Sequence, residues 1–390
     1  MLDPVVIVGG GVTAQRCAFA LRTLGFDGGI EMISAETDAP YDRTLVSKDM
    51  LARTDFGPPV PLRAVEDYQA AGVSLRLGTH ATSLDTAARR VYLSDGDSLA
   101  YEQLVVATGG RPVVPQSLAA EGVLTLRTAS DLPELHDALE RSMHLVIVGA
   151  GFIGGEVAAA AVARHCPVTL IEAAPAPLSP LFGEEVGRRF ADLHRSRGVE
   201  VICGTPVVGI TRERDGSRVA LRDGRKLRAD AVVVGVGMAP NVEWLAGSPL
   251  ELDAGIVTDA CCRTNVPGVI AAGDCARWFN PYYGAHMRVE HWDTAARHGE
   301  AAAASVLGIE RPFALVPFFW SAQHDAKLQW VGYAPVWDAV EIEEEDGEPG
   351  FAAHYRLNDS VVGVLAVNKA RALARARREM TSALKEVVAQ

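Results

Sequence analysis

The hydrophobic pattern of the chain repeats one unit: a short apolar run, closely spaced glycines and a longer helix-like stretch. The run VVIV at residues 5–8 precedes GGGVTA, and the run LVIV at residues 145–148 precedes GAGFIG. Such short β-branched runs are typical of buried strands, and the apolar periodicity that follows is typical of helices. The pattern therefore predicts two strand–helix units, with helices over about residues 14–25 and 153–165.

Each unit is followed by another apolar strand that ends near an acid. Residues 30–33 precede Glu36, and residues 168–171 precede Glu172. Two such β-α-β units predict an α/β fold with two Rossmann-like, glutathione-reductase-like dinucleotide-binding domains. Beyond about residue 313 the pattern changes to alternating strands and a basic helix, which predicts a smaller α+β C-terminal domain.

Clusters of glycine and proline mark the expected crossings between domains. They follow the apolar strands that end near residues 107 and 234, and such residues interrupt regular structure. We therefore expect a discontinuous first domain and a second domain inserted into it, followed by the C-terminal domain. Their expected ranges are 1–107 with 240–312, 108–239 and 313–390.

Composition and charge exclude several classes of function. The 37 basic and 49 acidic residues give a net charge of −12, whereas nucleic-acid-binding domains usually carry a basic surplus. No apolar run reaches the ~18 residues of a membrane helix, and the N-terminus lacks the basic region of a secretory signal. We therefore expect a cytoplasmic protein without nucleic-acid or membrane partners. The cysteines and histidines lack metal-binding spacings, so we also expect no metal site.

The first glycine sequence has the G-x-G-x-x-A spacing of a dinucleotide site. Gly9 permits the tight turn, Gly11 lets a pyrophosphate approach the backbone, and Ala14 lets the helix pack closely on the strand. Glu36, after the second strand, is placed to accept hydrogen bonds from ribose hydroxyls. The pyrophosphate would then lie at a helix N-terminus, which favours negative charge.

The second glycine sequence is similar and has Glu172 after its second strand. A carboxylate at this position repels a 2′-phosphate, and the alanines that follow supply no arginine to bind one. We therefore expect NADH to be preferred over NADPH. The expected contacts are Gly149, Gly151, Ile153, Gly154 and Glu172.

Five further segments resemble motifs of a known family. They are PYDRTLVSK (40–48), GGE (154–156), AAGDCA (271–276), RVEHW (288–292) and PFFWSAQ (317–323). Together they resemble the FAD-dependent, NADH-utilising ferredoxin reductases of bacterial oxygenases, the group of putidaredoxin reductase and the biphenyl dioxygenase reductase. The resemblance covers essentially the whole chain. It implies that the first domain binds FAD, the second binds NADH, and the third lies at the flavin and ferredoxin interface.

The resemblance also implies roles for individual residues. Arg43 approaches the FAD phosphates, while Lys48 lies by the isoalloxazine ring and pairs with Glu156. Trp320 lies between the flavin and the iron–sulfur partner, so that Lys48, Glu156 and Trp320 form the implied catalytic set. The other implied cofactor contacts are Ala81, Arg127, Gly237, Asp274, Glu290, His291 and Trp292.

Two further expectations come with the resemblance. We expect Asp274 to accept hydrogen bonds from the ribityl chain, and the helix after it to face the pyrophosphate. The chain departs from the family motifs at Thr44, Val46, Gly155 and Ala322. Gly155 stands where the family has a bulky residue, so we expect looser packing there.

The positions of the cysteines bear on the reaction. Related flavoproteins carry a redox-active disulfide, or one cysteine near Ser47 and Lys48, whereas residues 37–60 contain no cysteine. A hydride from NADH therefore has no thiol relay to follow, and a flavin can pass single electrons outward. The predicted function is an FAD-dependent reductase that passes electrons from NADH to a [2Fe-2S] ferredoxin feeding an oxygenase.

Docking of an acidic ferredoxin to a chain with a net charge of −12 requires a local basic surface. Arg371, Arg375 and Arg378 fall at i, i+4 and i+7, on one face of the predicted basic helix. We expect this face to bind the ferredoxin, the alternative being an ordinary solvated face.

Two other functions stay open: a reductase of rubredoxin or another acceptor, and an NADH-sensing flavoprotein like apoptosis-inducing factor.

Overall fold

The computed structural model describes residues 4–53, 57–141, 143–344 and 349–388, with side chains as far as residue 384. No helix in these ranges is long and apolar enough to cross a membrane. The α-helices are α1 (Val12–Thr23), α2 (Val65–Ala70), α3 (Leu132–Glu140), α4 (Phe152–Ala163), α5 (Ser179–Ser196), α6 (Trp292–Val306) and α7 (Ala370–Val388).

The strands are numbered along the chain. The first ten are β1 (Val5–Val8), β2 (Ile30–Ile33), β3 (Val73–Arg76), β4 (Ala81–Asp85), β5 (Arg90–Leu93), β6 (Ser98–Ala100), β7 (Gln103–Val106), β8 (Gly110–Pro112), β9 (Val123–Leu124) and β10 (Leu145–Val148). The next eight are β11 (Val168–Ile171), β12 (Glu200–Ile202), β13 (Val207–Glu213), β14 (Gly216–Leu221), β15 (Lys226–Ala229), β16 (Ala231–Val234), β17 (Met238–Pro240) and β18 (Ile256–Thr258). The last eight are β19 (Val269–Ala271), β20 (Ala276–Asn280), β21 (Ala285–Met287), β22 (Phe318–Gln323), β23 (Ala326–Gly332), β24 (Ala339–Glu343), β25 (Phe351–Leu357) and β26 (Ser360–Val367).

Two five-stranded parallel sheets form the α/β part of the molecule. Their strand orders are β19-β7-β1-β2-β3 and β12-β11-β10-β16-β9. All residues of the central strands β1 and β10 are buried, as expected for parallel sheets covered on both faces. The strands of both predicted β-α-β units are confirmed. Their helices begin slightly earlier than predicted, at Val12 and Phe152, because Gly11 and Gly151 already occupy the N-cap positions.

The chain passes between the two parallel sheets through a two-stranded antiparallel ribbon, β8 with β17. In this ribbon Gly110 lies opposite Pro240, and Arg111 donates a hydrogen bond to the Pro240 carbonyl at 3.0 Å. Smaller sheets flank the parallel ones, with orders β4-β5-β6, β13-β14-β15 and β18-β20-β21. The exact domain boundaries remain a prediction.

The C-terminal part is an α+β unit, as predicted. Its sheet has the order β22-β23-β26-β25-β24 with every neighbouring pair antiparallel. Helix α7 lies on this sheet, where Leu373 and Ala376 are buried against Val364 and Ala366. Burial of this apolar stripe leaves the opposite, basic face of α7 in solvent.

One segment of the first predicted domain packs with the second sheet instead of the first. It comprises a 3₁₀ turn (Arg43–Leu45) and a π-helical turn (Val46–Met50). Tyr41 and Leu51, at its two ends, are buried in the same core cluster as Leu135 of α3. This segment, which carries Lys48, therefore joins the two parallel-sheet units.

Candidate functional site

A cavity of about 1430 Å³ is lined by residues of both parallel-sheet units and of the C-terminal sheet. Val8 and Val148, the last residues of the two central strands, lie on its wall, as does Trp320 of β22. Ligands of α/β proteins bind at the carboxyl ends of parallel strands. The volume exceeds the roughly 300–1,000 Å³ of a typical single-ligand pocket, so two large ligands can share it.

The first glycine sequence forms a cradle that fits a dinucleotide pyrophosphate. Gly9 has a φ of +147°, and a side chain there would overlap the carbonyl of Ala107. Gly11 caps α1 without a side-chain hydrogen bond, and the first turn holds no acid, so its amides can bind an anion. Ala14 of α1 is fully buried.

Glu36 and Arg43 lie beside this cradle and contact each other. Glu36 accepts a hydrogen bond from the Tyr41 hydroxyl at 2.6 Å and forms an ion pair with Arg43. The Arg43 Nε atom is 3.9 Å from where a side chain on Gly11 would begin. The structure thus brings together the predicted ribose-binding acid and the predicted phosphate-binding cation.

Asp274 and Arg127 close the cavity from opposite sequence regions. The Arg127 guanidinium donates to the Asp274 carboxylate at 2.9 Å, and both residues line the cavity with Ala81. The expectation of a helix directly after Asp274 is wrong. A 3₁₀ turn (Gly273–Cys275) leads directly into β20, because this aromatic-rich stretch pairs with β18.

Glu290, His291 and Trp292 also line the cavity, at the start of α6. Burial raises the pKa of the Glu290 carboxyl, although its ion pair with Arg288 opposes this effect. Burial lowers the pKa of His291 to about 3, so its imidazole is neutral near pH 7. The His291 ring lies 4.6 Å from that of Phe319.

The second glycine sequence forms the second cradle. Gly149 has a φ of +100°, and a side chain there would overlap the Gly235 carbonyl. A side chain on Gly154 would likewise overlap the Gly149 carbonyl, so the glycine lets α4 pack closely against the turn. Gly151 caps α4 without a side-chain hydrogen bond and has open space beside it. These are the properties of an anion-binding helix N-terminus.

Glu172 lies at the end of β11, on the wall of the second cradle. Its carboxylate accepts hydrogen bonds from the backbone N–H groups of Ala150 at 2.8 Å and Ala174 at 2.9 Å. These bonds hold the negative charge beside the glycine turn. Ile153 and Gly237 lie on the same cavity wall, and Gly237 has a φ of +131°.

Glu156 connects three parts of the chain. This residue is 3% exposed, and its carboxylate pairs with Lys48 Nζ at 3.1 Å. It also accepts hydrogen bonds from the Ser47 hydroxyl and, at 2.6 Å, from the Ser321 hydroxyl. The predicted Lys48–Glu156 pair is therefore present. The sequence reasoning missed both serines, although each stands inside a segment that carries the family resemblance.

Strand β22 contributes side chains to both sides of the site, because successive side chains of a strand point to opposite faces of the sheet. Phe319 packs on Phe152 of α4, with ring centres 4.7 Å apart, on the side of Ser321 and Glu156. Trp320 lies on the opposite side, stacked on Phe318 at 5.9 Å and near Trp292 at 6.2 Å.

Gly155 does not leave the looser packing that was expected. The side-chain amide of Gln323 fills the space, and a Cβ atom on Gly155 would lie 2.5 Å from the Gln323 Cδ. His194 donates to Gln323 Oε1 at 3.1 Å and is itself bonded to His324 at 3.0 Å. The small residue in α4 therefore accommodates a buried hydrogen-bonded chain.

None of the described residues that line the cavity is a cysteine. Cys275, next to Asp274, is completely buried, and burial raises the pKa of its thiol. A buried protonated thiol is a poor nucleophile. The part of the cavity wall that the structure describes thus offers no thiol for a disulfide relay.

The predicted basic face of α7 is present at the surface. Arg371, Arg375 and Arg378 are exposed, and Arg375 lies 3.4 Å from Glu343 of β24 in a solvent-exposed pair. A fourth arginine of this helix, Arg377, lies over the ring of Phe318 at 4.2 Å. It thereby connects the helix surface to the aromatic residues around Trp320.

Comparisons with known proteins agree with this arrangement. Residues 3–299 match the family model described as pyridine nucleotide-disulphide oxidoreductase, and residues 318–389 match the model described as reductase C-terminal. The chain is 38% identical, over 96% of its length and 93% of the relative's, to the ferredoxin–NAD(+) reductase component of an anthranilate 1,2-dioxygenase system from Burkholderia cepacia.

Two further matches concern one reductase. The chain is 34% identical to putidaredoxin reductase from Pseudomonas putida, covering 94% of this chain and 89% of that protein. The crystal structure of a covalent putidaredoxin reductase–putidaredoxin complex matches with a TM-score of 0.92 at 32% identity, covering 99% of this chain and 98% of the other.

Proposed function

The chain belongs to the pyridine nucleotide-disulphide oxidoreductase family, and from this premise we propose that it is an FAD-dependent NADH:ferredoxin oxidoreductase. It accepts a hydride from NADH and passes single electrons to a [2Fe-2S] ferredoxin that feeds an oxygenase. One observation carries this proposal: the Lys48–Glu156 pair lies on a cavity wall shared by two dinucleotide cradles. Two relatives support it, since their names describe ferredoxin–NAD(+) reductase components of dioxygenase systems.

FAD would supply a ring that accepts two electrons as a hydride and releases them one at a time. The first cradle would hold its pyrophosphate, with Arg43 as the neighbouring cation. The carboxylates of Glu36 and Asp274 would accept hydrogen bonds from its hydroxyl groups. The remaining walls of this site are Ala81, Arg127, Glu290, His291 and Trp292.

NADH would occupy the second cradle, through Gly149, Gly151 and Glu172. Lys48 places a cation on the cavity wall, where it would stabilise negative charge on the reduced ring of a bound flavin. Glu156 holds that cation in place. Ser47 and Ser321 orient this carboxylate, since both hydroxyl groups donate to it, one from the Lys48 segment and one from β22.

Electrons would leave the site past Trp320 and Phe318 toward α7. The exposed arginines Arg371, Arg375 and Arg378 would attract an acidic ferredoxin to this side of the molecule. We also propose that the protein acts in the cytoplasm, where its free cysteines would remain reduced.

The test is stopped-flow reduction of the FAD-loaded protein by NADH, followed by steady-state turnover with a [2Fe-2S] ferredoxin. We expect fast bleaching of the flavin absorbance and NADH-dependent reduction of the ferredoxin. Rubredoxin as the acceptor provides the comparison. If turnover with rubredoxin were faster than with ferredoxin, rubredoxin rather than ferredoxin would be the partner. Slow reduction, with a charge-transfer complex that persists in air, would instead support an NADH-sensing flavoprotein.

A further inference from the structure

The segment that carries Lys48 ends in backbone carbonyls that side chains of the second-sheet unit contact. A π-helical turn (Val46–Met50) is followed by Leu51 and Ala52, and carbonyls at a helix end lack intrahelical donors. π-Helical turns are rare and occur frequently at functional sites. The position of Lys48 therefore depends on what holds the end of this turn.

Two side chains of the second-sheet unit bind the carbonyls at the end of this segment. His136 of α3 is 2% exposed, and its Nε2 atom lies 2.9 Å from the Met50 carbonyl oxygen. Arg164, the residue that follows α4, donates to the Arg53 carbonyl at 3.1 Å. The Arg164 side chain is only 9% exposed and also lies 3.6 Å from Glu140.

The two side chains are bonded to each other, which fixes their roles. Arg164 Nη1 lies 2.9 Å from His136 Nδ1, and a guanidinium can only donate. The Nδ1 atom must therefore accept, so the proton is on Nε2 and is donated to Met50. Burial lowers the pKa of His136, which agrees with a neutral imidazole.

We propose that His136 and Arg164 are positioning residues for Lys48. They bind the carbonyl end of its turn and so fix the lysine ammonium against Glu156, on a part of the cavity wall that neither of them reaches. The cavity wall includes Lys48 and Glu156 but neither His136 nor Arg164. This inference rests on the proposed function, in which the Lys48 cation stabilises the reduced ring.

The experiment compares His136→Leu with His136→Gln in the full FAD-loaded chain. In His136→Leu we expect flavin reduction by NADH to slow about tenfold, because small displacements of a reacting group are costly. FAD content and the KM for NADH should stay within about twofold, since the ground-state contacts are intact. His136→Gln, whose amide can donate to Met50 and accept from Arg164, should recover most of the rate.

A double-mutant cycle distinguishes positioning from general loosening. Adding His136→Leu to Lys48→Met should slow reduction no further, because the lysine that His136 positions is gone. His144→Leu is the matched control, since His144 also lies near a backbone carbonyl of the second-sheet unit, that of Arg228 at 3.0 Å. It should leave the reduction rate unchanged.

A second measurement does not depend on NADH. Stepwise reduction with dithionite gives the midpoint potential of the bound flavin, which should fall in His136→Leu because the cation is less well placed. If His136→Leu does not fold, Arg164→Gln provides the same comparison. Equal slowing in the Lys48→Met background, or an unchanged potential, would overturn the inference. Failure of the unmutated protein to react with NADH would instead overturn the proposed function.

Discussion

At the scale of single residues, Glu156 shows how one carboxylate can organise a site. It is buried, and its partners come from segments 108 and 165 residues away in the sequence. A buried carboxylate is costly unless it is paired and hydrogen-bonded. Lys48, Ser47 and Ser321 meet that requirement together, and in doing so they bring three parts of the chain to one point.

Gly155 is a residue whose size determines local packing. Replacing it by alanine should destabilise the protein by about 1–3 kcal/mol, because the new methyl group meets the buried Gln323 amide. The free energy of unfolding in urea measures this cost. The double variant Gly155→Ala with Gln323→Ala should lose less free energy of unfolding than the sum of the losses in the two single variants. Strict additivity would show that the two residues do not meet.

Glu172 is expected to set the preference for NADH. In Glu172→Gln the negative charge beside the second cradle is lost, so kcat/KM for NADPH relative to NADH should rise about tenfold. The control is Glu134→Gln, which makes the same charge change at an exposed position of α3. An unchanged ratio in Glu172→Gln would contradict the role given to this carboxylate.

At the scale of secondary-structure elements, β22 connects the two halves of the reaction. Its alternating side chains place Phe319, Ser321 and Gln323 against α4, and Phe318 and Trp320 toward α7. One strand thus contacts both the second cradle and the surface where electrons would leave. The segment that carries Lys48 has a comparable role, since it belongs to the first unit by sequence and packs in the core of the second.

The exposed face of α7 is expected to determine ferredoxin binding. Replacing Arg371, Arg375 and Arg378 by glutamine should lower kcat/KM for an acidic ferredoxin about tenfold and flatten its dependence on salt, since surface charges mainly affect association. Reduction of ferricyanide with NADH should be unaffected, because this small acceptor does not need the docking face.

The control for this triple variant removes the same charge elsewhere. Arg188, Arg195 and Arg225 are exposed positions of the second-sheet unit, and their replacement by glutamine should leave ferredoxin turnover close to that of the unmutated protein. If both triple variants behaved alike, net charge rather than the α7 face would govern docking.

At the scale of the whole molecule, buried imidazoles couple stability to pH. Burial lowers the pKa of His194 to about 4 and that of His298 to about 3. In the unfolded chain each would bind a proton below about pH 6.5. Between pH 6.5 and the lower folded-state value the unfolded chain binds more protons, so stability falls as the pH falls.

We therefore expect the free energy of unfolding to decrease from pH 6.5 toward pH 4, by about 1.4 kcal/mol per pH unit for each such histidine. His194→Gln should reduce this slope by the share of one group, as measured by urea unfolding at a series of pH values. His80→Gln, at an exposed position, is the control and should not change it. Identical slopes in all three proteins would contradict the assignment.

The sequence by itself determined the features that depend on neighbouring residues. The central strands, the glycine turns and the helices that follow them are set by local hydrophobic pattern and backbone sterics. Gly9 and Gly149, for example, adopt positive φ values in turns that exclude side chains. The resemblance of short motifs added the pairing of Lys48 with Glu156, which the structure contains.

Only the tertiary structure decided which distant segments meet. Ser47 and Ser321 bind Glu156 because β22 and the Lys48 segment both pack against α4 at this residue, and no local pattern encodes that approach. The same holds for the contacts of His136 and Arg164 with the end of the Lys48 segment, and for the strand that stands where a helix was expected after Asp274. Such contacts depend on how whole elements fill a common core, and this packing is a property of the folded chain rather than of any one segment.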